Sequence, residues 1–363
     1  MISRIPLLLI FIIWIVYSQS LDAFQSEKKE VISNPEHGIW QDRNESPINF
    51  KKAAVFGSND QNEQALYTYG GIAVDEKENL YFLDKSLSQI IAFDKKGELK
   101  WKIGRSGKGP GELENTLGIA TDDKHIYVSN IRGTRIDKFD LNGQFVRSFK
   151  LPKKELVSNI EGFTKSGELV LSKSISGKFG DVISFYDVDS MNKIRSFEID
   201  AGKGLKIPRN INSSPGIQVY DTLIASGSIV DFSFGFYNIS GEKVIKVRKD
   251  FNKIVKPTYY STGKKRGITD NSKVRPPLVI SDEHYLVFSW WTDNLTSSSQ
   301  KLEWKDREFK HSLDLFRKDG TLLFSEYGDG IRYKLGNFIY VDRNGFLYTK
   351  EENMVIKYSV LVN

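Results

Sequence analysis

Short apolar runs separated by polar clusters dominate the chain, and between Gly71 and Leu151 the same pattern is written twice. The first copy places strands at Ile72–Val74, Leu80–Leu83, Ile90–Phe93 and Leu99–Ile103, each rich in β-branched and aromatic residues. Asp, Asn, Gly and Lys clusters between the runs suit turns. Gly71 recurs as Gly118 and Gly97 as Gly143, spacings of 47 and 46 residues. Such a period marks a repeat architecture. A four-stranded sheet with two apolar faces cannot bury itself alone, so blades of this kind stack radially into a propeller.

The run LKWKIGRSGKGPGELENTLGIATDDKHIYVSN, with SQIIAFDKKGEL and TRIDKFDLNGQF, resembles the NHL repeat. The close match spans about 80 residues. The resemblance implies a propeller. It also implies kinship with exported bacterial propeller proteins, without naming a ligand, since propellers host binding and catalysis alike.

Turn signals extend the reading along the chain. A third blade is expected over Ile160–Asp200, a fourth over Ile217–Arg248 and a fifth over Leu278–Tyr327. Asn337–Val341, Phe346–Lys350 and Val355–Leu361 supply three strands before the chain ends, and Ile48–Phe56 is a strand with no blade in front of it. Pairing the two termini in one blade would close the ring and remove its open edge. The expected fold is therefore all-β, a six-bladed β-propeller over 48–363 closed by N-terminal strand pairing with the C-terminal blade. Degeneration of the later copies leaves five or seven blades open.

Ahead of the propeller, Met1–Ala23 reads as an export signal: Arg4, then an apolar run from Leu7 to Tyr17, then small and polar residues. The run is shorter than the roughly 20 residues that span a bilayer. Cleavage is expected, with an uncleaved short anchor as the alternative. Residues 24–47 are polar and aperiodic and read as a tether. There is no cysteine, which excludes disulfides, thiolate metal sites and a catalytic thiol. The expected product is a monomer in a periplasm or outside the cell. Its net charge of +6 is modest for 363 residues, and with the leader it argues against nucleic acid as the partner.

Loop lengths point to one working face. Second-to-third-strand hairpins and blade-to-blade crossovers emerge on the same side of a propeller. The long segments 104–116, 173–181, 201–215, 249–277 and 291–309 all fall on that side, where sites are usually built. Between Lys246 and Arg275 there are ten basic residues against two acidic ones. That crossover holds Tyr259, Tyr260, Lys264, Lys265 and Arg266, and Arg105, Arg132 and Arg135 come from other loops of the same face. A basic, aromatic surface would attract an anionic glycan, a lipid head group or an acidic protein ligand. The other reading is a solvated crossover.

Trp290 and Trp291, at a strand end, could stack on a sugar ring or anchor the 292–309 loop. Glu161 and Asn337, among the first residues of inner strands, invite comparison with metal-dependent propeller lactonases. Those use a divalent ion such as calcium with oxygen ligands. Blades three and six stand opposite each other, however, and a solvated rim explains both residues. No cofactor is expected on the binding reading. The signatures H-E-x-x-H and G-x-S-x-G are absent from the sequence, and Asp75 and Asp122 read as turn acceptors.

Overall fold

Every described element is a strand, and the strands group as the repeat demands. The computed structural model describes residues 31–363 apart from 59–63, 152–158, 177–179, 201–213, 215, 255–256, 258, 263–264, 269–271, 293–307 and 329–336. Blade one comprises Tyr69–Val74, Leu80–Asp84, Gln89–Phe93 and Leu99–Ile103, each strand antiparallel to the next. Blade two repeats this from Gly118–Thr121 to Phe145–Lys150, blade three from Asn159–Phe163 to Lys193–Asp200 and blade four from Ile217–Tyr220 to Lys243–Lys249. Blade five is built on His284–Trp291, Lys310–Arg317 and Leu322–Tyr327, with its inner strand split into Ser272–Val274 and Leu278–Val279.

Blade six closes the ring. Asn337–Val341, Leu347–Glu351 and Met354–Val362 are joined at the outer edge by Ile48–Gly57, antiparallel to the last strand from Ile48 opposite Val362 to Gly57 opposite Met354. Six buried apolar clusters lie one at each junction between neighbouring blades. Ile72, Phe82, Tyr348 and Val355 join blades six and one, for example, and Val170, Phe185 and Ile224 join three and four. The core is thus a ring of six seams, which requires every blade to be apolar on both faces.

Outer hairpins share one device. Asp94 Oδ1 accepts from the Lys96 and Glu98 amides, and Gly97 takes a φ of 90°. Asp140 with Gly143 and Asn238 with Gly241 do the same. A positive φ at the last turn residue sets a one-residue bulge, which glycine accepts without steric cost.

The segment read as a tether is a strap in its described part. Ile32–Asn34 adds a parallel strand to the outer edge of blade four, opposite Val247–Lys249. The Asn34 side chain donates to Gly320 O (3.0 Å) and accepts from Leu322 N (2.8 Å) in blade five. Trp40 N donates to Leu323 O at 2.7 Å, and Arg43 donates to the carbonyl of Asn363 at 2.6 Å. Residues 32–43 therefore cross the outer edges of blades four, five and six. They satisfy backbone groups that those edges would otherwise expose. Single strand bridges of this kind carry no periodicity, so pattern alone reads them as linker.

Candidate functional site

The innermost strands of all six blades enclose a channel of about 1910 Å³. Its walls come close where glycine starts the inner strand of blade two: a Cβ on Gly118 would lie 2.2 Å from Asn159 Oδ1. On the short-turn side the channel is bridged. Arg343 of blade six pairs with Asp123 of blade two at 2.8 Å, and Asp123 also accepts from Glu76 N at 2.8 Å. The remaining mouth faces the long loops.

Three polar side chains line the lumen from alternate blades: Tyr69 from blade one, Glu161 from blade three and Arg275 from blade five. Arg275 stands where the inner strand of blade five breaks. Pro276 and Pro277 have no N–H to give the ladder. Val274 pairs with Ser289 but Leu278 with Leu286, which leaves one extra residue on the inner side, the geometry of a bulge that re-aims a side chain. Arg275 N donates to Phe288 O at 2.8 Å. The Tyr220 hydroxyl donates to Pro277 O (2.7 Å) and accepts from Val279 N (3.0 Å), which fixes the kink from blade four.

The electrostatics of these groups follow from their position. Tyr69 and Arg275 are exposed to the open lumen. Burial lowers the Arg275 pKa, and among the described residues no side chain pairs with its guanidinium. Burial pushes Glu161 up to about 7, and the nearby Asp181 charge adds to the effect; a hydrogen bond from Ser172 Oγ at 2.5 Å and one from Asn159 oppose it. Burial also raises Tyr69 to about 12, opposed by Arg275 and assisted by Glu161. Lys85, also lining the lumen, is lowered by burial. The channel thus holds an unpaired cation and a carboxyl that keeps its proton near neutrality.

Three cations of the basic crossover do not stand on its surface together. Lys249 is fully buried against Asp314, Arg275 enters the channel, and Lys273 Nζ donates to Ser214 O at 3.0 Å. Tyr259–Thr262 and Lys265–Ile268, which include Tyr260 and Arg266, form a two-stranded hairpin; Lys264 lies outside the described residues. Arg105 is exposed and pairs with Glu112 at 2.8 Å, and Arg132 is exposed in a turn at φ 55°.

Arg135 corrects the expectation of a surface cation. It is buried, pairs with Asp137 at 2.8 Å and donates to the carbonyls of Gly109 (3.2 Å) and Glu112 (2.8 Å), so it pins the 104–116 crossover. Trp291 is also no ligand platform. It is 6% exposed and meets Phe251 edge-on at 5.0 Å. Trp290, half-buried against the seam of blades five and six, meets Phe309 at 5.3 Å. Trp290 thus packs beside the end of the 292–309 segment, and Trp291 packs in the seam of blades four and five. Ser272 lies in register with Trp291, so segments 249–277 and 291–309 do leave the blade on one side.

Asn337 pairs through its backbone with Lys350, and its side chain lies outside the described residues. Among the described residues no three His, Asp or Glu side chains gather as a metal would need. Asp75 and Asp122 are turn acceptors, as the sequence suggests, and each also accepts a buried tyrosine hydroxyl at 2.9 Å, from Tyr81 and Tyr127; Asp342 and Tyr348 repeat the pair in blade six. Sequence reading missed Tyr69 and the placement of Arg275, although the Arg275-Pro276-Pro277 run inside a strand pattern is itself a bulge signal.

A family model for 6-bladed beta-propellers, DUF5128, matches residues 69–252, just over half of the chain. The chain belongs to that family. Comparison with curated proteins gave no match. Among solved structures, the Bacteroides fragilis protein BF0058 superposes with a TM-score of 0.56 at 13% identity, covering 92% of this chain and 99% of its own. A duf4221 family member from Bacteroides vulgatus gives 0.51 at 14% identity, covering 87% and 99%. At such identities the likeness is one of fold. No described helix is long and apolar enough to cross a membrane.

Proposed function

We propose that this propeller, built from NHL-type repeats, is an exported binding module whose ligand presents an anionic group to the channel mouth on the long-loop face. The observation that carries the reading is Arg275: a guanidinium that lines the channel, exposed to its lumen and unpaired among the described residues. An exposed guanidinium inside a channel, with no acceptor of its own, is free to take the counter-charge of a ligand. Arginine's planar fork suits a carboxylate, sulfate or phosphate. The anionic part of a glycan, a lipid head group or a protein terminus would all present such a group. The leader at Met1–Ala23 and a structural neighbour assigned as an exported protein support export. The remaining cations of the long-loop face would raise the encounter rate more than the affinity.

The test is a panel of anionic glycans and polyanions bound by the full chain. Arg275→Gln should weaken binding at least about tenfold, the loss of one charge-assisted contact. The Lys264/Lys265/Arg266 triple alanine variant should change it by less than about threefold and mainly at low salt. Unchanged binding by Arg275→Gln overturns the reading.

A second reading, lactonase- or lyase-like chemistry with a divalent ion, draws on Glu161, whose pKa of about 7 suits an acid–base group. It predicts a calcium-dependent rise in melting temperature that Glu161→Gln abolishes.

A further inference from the structure

We infer that the rim of blade one and the channel mouth together take an acidic oligosaccharide, one uronate on Arg275 and its neighbouring sugar rings on Tyr67, Tyr69 and Leu87. This rests on the anion-binding reading above and adds the uncharged part of the ligand.

One buried carboxylate builds the rim. Asp84, fully buried at the end of the second strand, accepts from the amides of Tyr67 (2.8 Å), Ser86 (2.9 Å) and Leu87 (3.1 Å) and from Ser86 Oγ (2.6 Å). Lys85 N donates to Thr68 O at 3.0 Å, and Tyr69 lies in register with Asp84. Residues 67–69 and 85–87 are thereby stapled side by side, and all six are exposed. Tyr67 is 43%, Tyr69 39% and Leu87 39% exposed. The staple holds these side chains in water and not in a seam.

The frame does not require them. In blade two Asn130 takes the place of Asp84 and accepts from Glu114 N at 2.8 Å, as Asp84 does from Tyr67 N. Counted along the repeat, Glu114, Thr116 and Gly133 stand where blade one has Tyr67, Tyr69 and Leu87. Thr116 and Gly133 are buried. The capped strand end serves both blades, whereas the exposed rings belong to blade one alone of the two, which marks them as a contact surface.

The chemistry of the rim selects its occupant. Thr68, Ser86 and Ser88 interleave with the apolar side chains, a mixture that hydrogen-bonds sugar hydroxyls and packs the faces of sugar rings. An acyl chain would cover those hydroxyls without pairing them. Lys85 crosses over Gly70, where a Cβ would lie 3.0 Å from Lys85 Cγ, and lines the lumen with Tyr69 and Arg275. Both cations are exposed, and neither has an acceptor among the described residues. Their charge complements uronates. The channel of about 1910 Å³ exceeds the roughly 300–1,000 Å³ of a pocket for one small molecule, as a chain of several sugars needs.

The experiment is calorimetric titration of the full chain with tetramers of galacturonate and of mannuronate, with their methyl esters and with octanoate. At least one tetramer should bind, and its uncharged ester at least about tenfold more weakly. Tyr69→Ser and the double variant Tyr67→Ser/Leu87→Ser should each weaken the tetramer at least about fivefold, and Arg275→Gln at least about tenfold. Lys85→Gln should cost less than about threefold and mainly at low salt. Melting curves establish that the variants fold, and the esters and octanoate test the wild type without any variant. If Arg275→Gln weakens the tetramer and the rim variants do not, the glycan inference falls and the anion reading stands. Octanoate binding more tightly than either tetramer has the same consequence. If Arg275→Gln changes nothing, both fall. If neither tetramer binds, the glycan inference falls, and Arg275→Gln on the anion panel decides the other.

Discussion

Blades one and two are near-copies, whereas blades four and five depart from the same plan at both their inner and outer edges. In the regular pair an Asp after the inner strand caps its own turn and takes a tyrosine hydroxyl, Asp75 with Tyr81 and Asp122 with Tyr127. In the irregular pair the inner strand of blade five is broken at Arg275-Pro276-Pro277, and blade four is tied to it by a charge. Lys249 Nζ pairs with Asp314 at 2.5 Å and donates to Ser325 Oγ at 3.0 Å. Phe232, Phe251 and Tyr327 surround the ammonium at 4.7 to 4.9 Å. The contrast shows a division of labour. Repetition builds the frame from many modest contacts, and the departures from it are secured by a few expensive ones.

Removing one member of the expensive kind should separate the two regions most sharply. Lys249→Met leaves Asp314 charged, buried and without its cation, and should cost about 3–5 kcal/mol in denaturant unfolding. A loss below about 1 kcal/mol would put the irregular pair on the same footing as the regular one. Next in size is the lumen carboxyl. Glu161 has its pKa raised by burial to about 7 in the folded chain against 4.5 when exposed. Its ionisation therefore works against folding: the favourable state is fully present below pH 4.5 and is lost as pH rises through 7. Glu161→Gln should be more stable than the wild type at pH 8 by about 1–2 kcal/mol, allowing for channel water, with the gap closing towards pH 4.5. A pH-independent gap would contradict the burial of that carboxyl.

The smallest effects belong to the regular frame. Tyr81→Phe, Tyr127→Phe and Tyr348→Phe each remove one hydroxyl-to-carboxylate bond and should cost about 1–2 kcal/mol in denaturant unfolding. Because the three pairs sit in different blades, the losses should add within about 0.5 kcal/mol in the triple variant.

The frame was legible in the sequence because the blades are apolar on both faces and the outer hairpins of blades one, two and four turn on an Asp or Asn with Gly three residues later. Even closure by residues 48–56 followed from counting strands, and the paired strand runs to Gly57. The strap over 32–43 was hidden, since Asn34 acts through its side chain and Trp40 through its backbone N–H, contacts that leave no pattern. Charge was the least legible quantity. Arg135, Lys249 and Arg275 read alike as basic loop residues, but one pins a crossover, one lies in an aromatic cage and one enters the channel. Composition records a cation and not its direction. Direction is set by bulges and prolines, whose effect depends on the neighbouring blade.

The most direct test of the channel site is the affinity of the full chain for an anionic ligand drawn from the panel, compared between Arg275→Gln and the Lys264/Lys265/Arg266 triple alanine variant at one salt concentration. The site in the channel mouth predicts that Arg275→Gln loses at least about tenfold while the triple variant stays within about threefold of the wild type. Full affinity in Arg275→Gln with loss in the triple variant would move the ligand out of the channel and onto the hairpin.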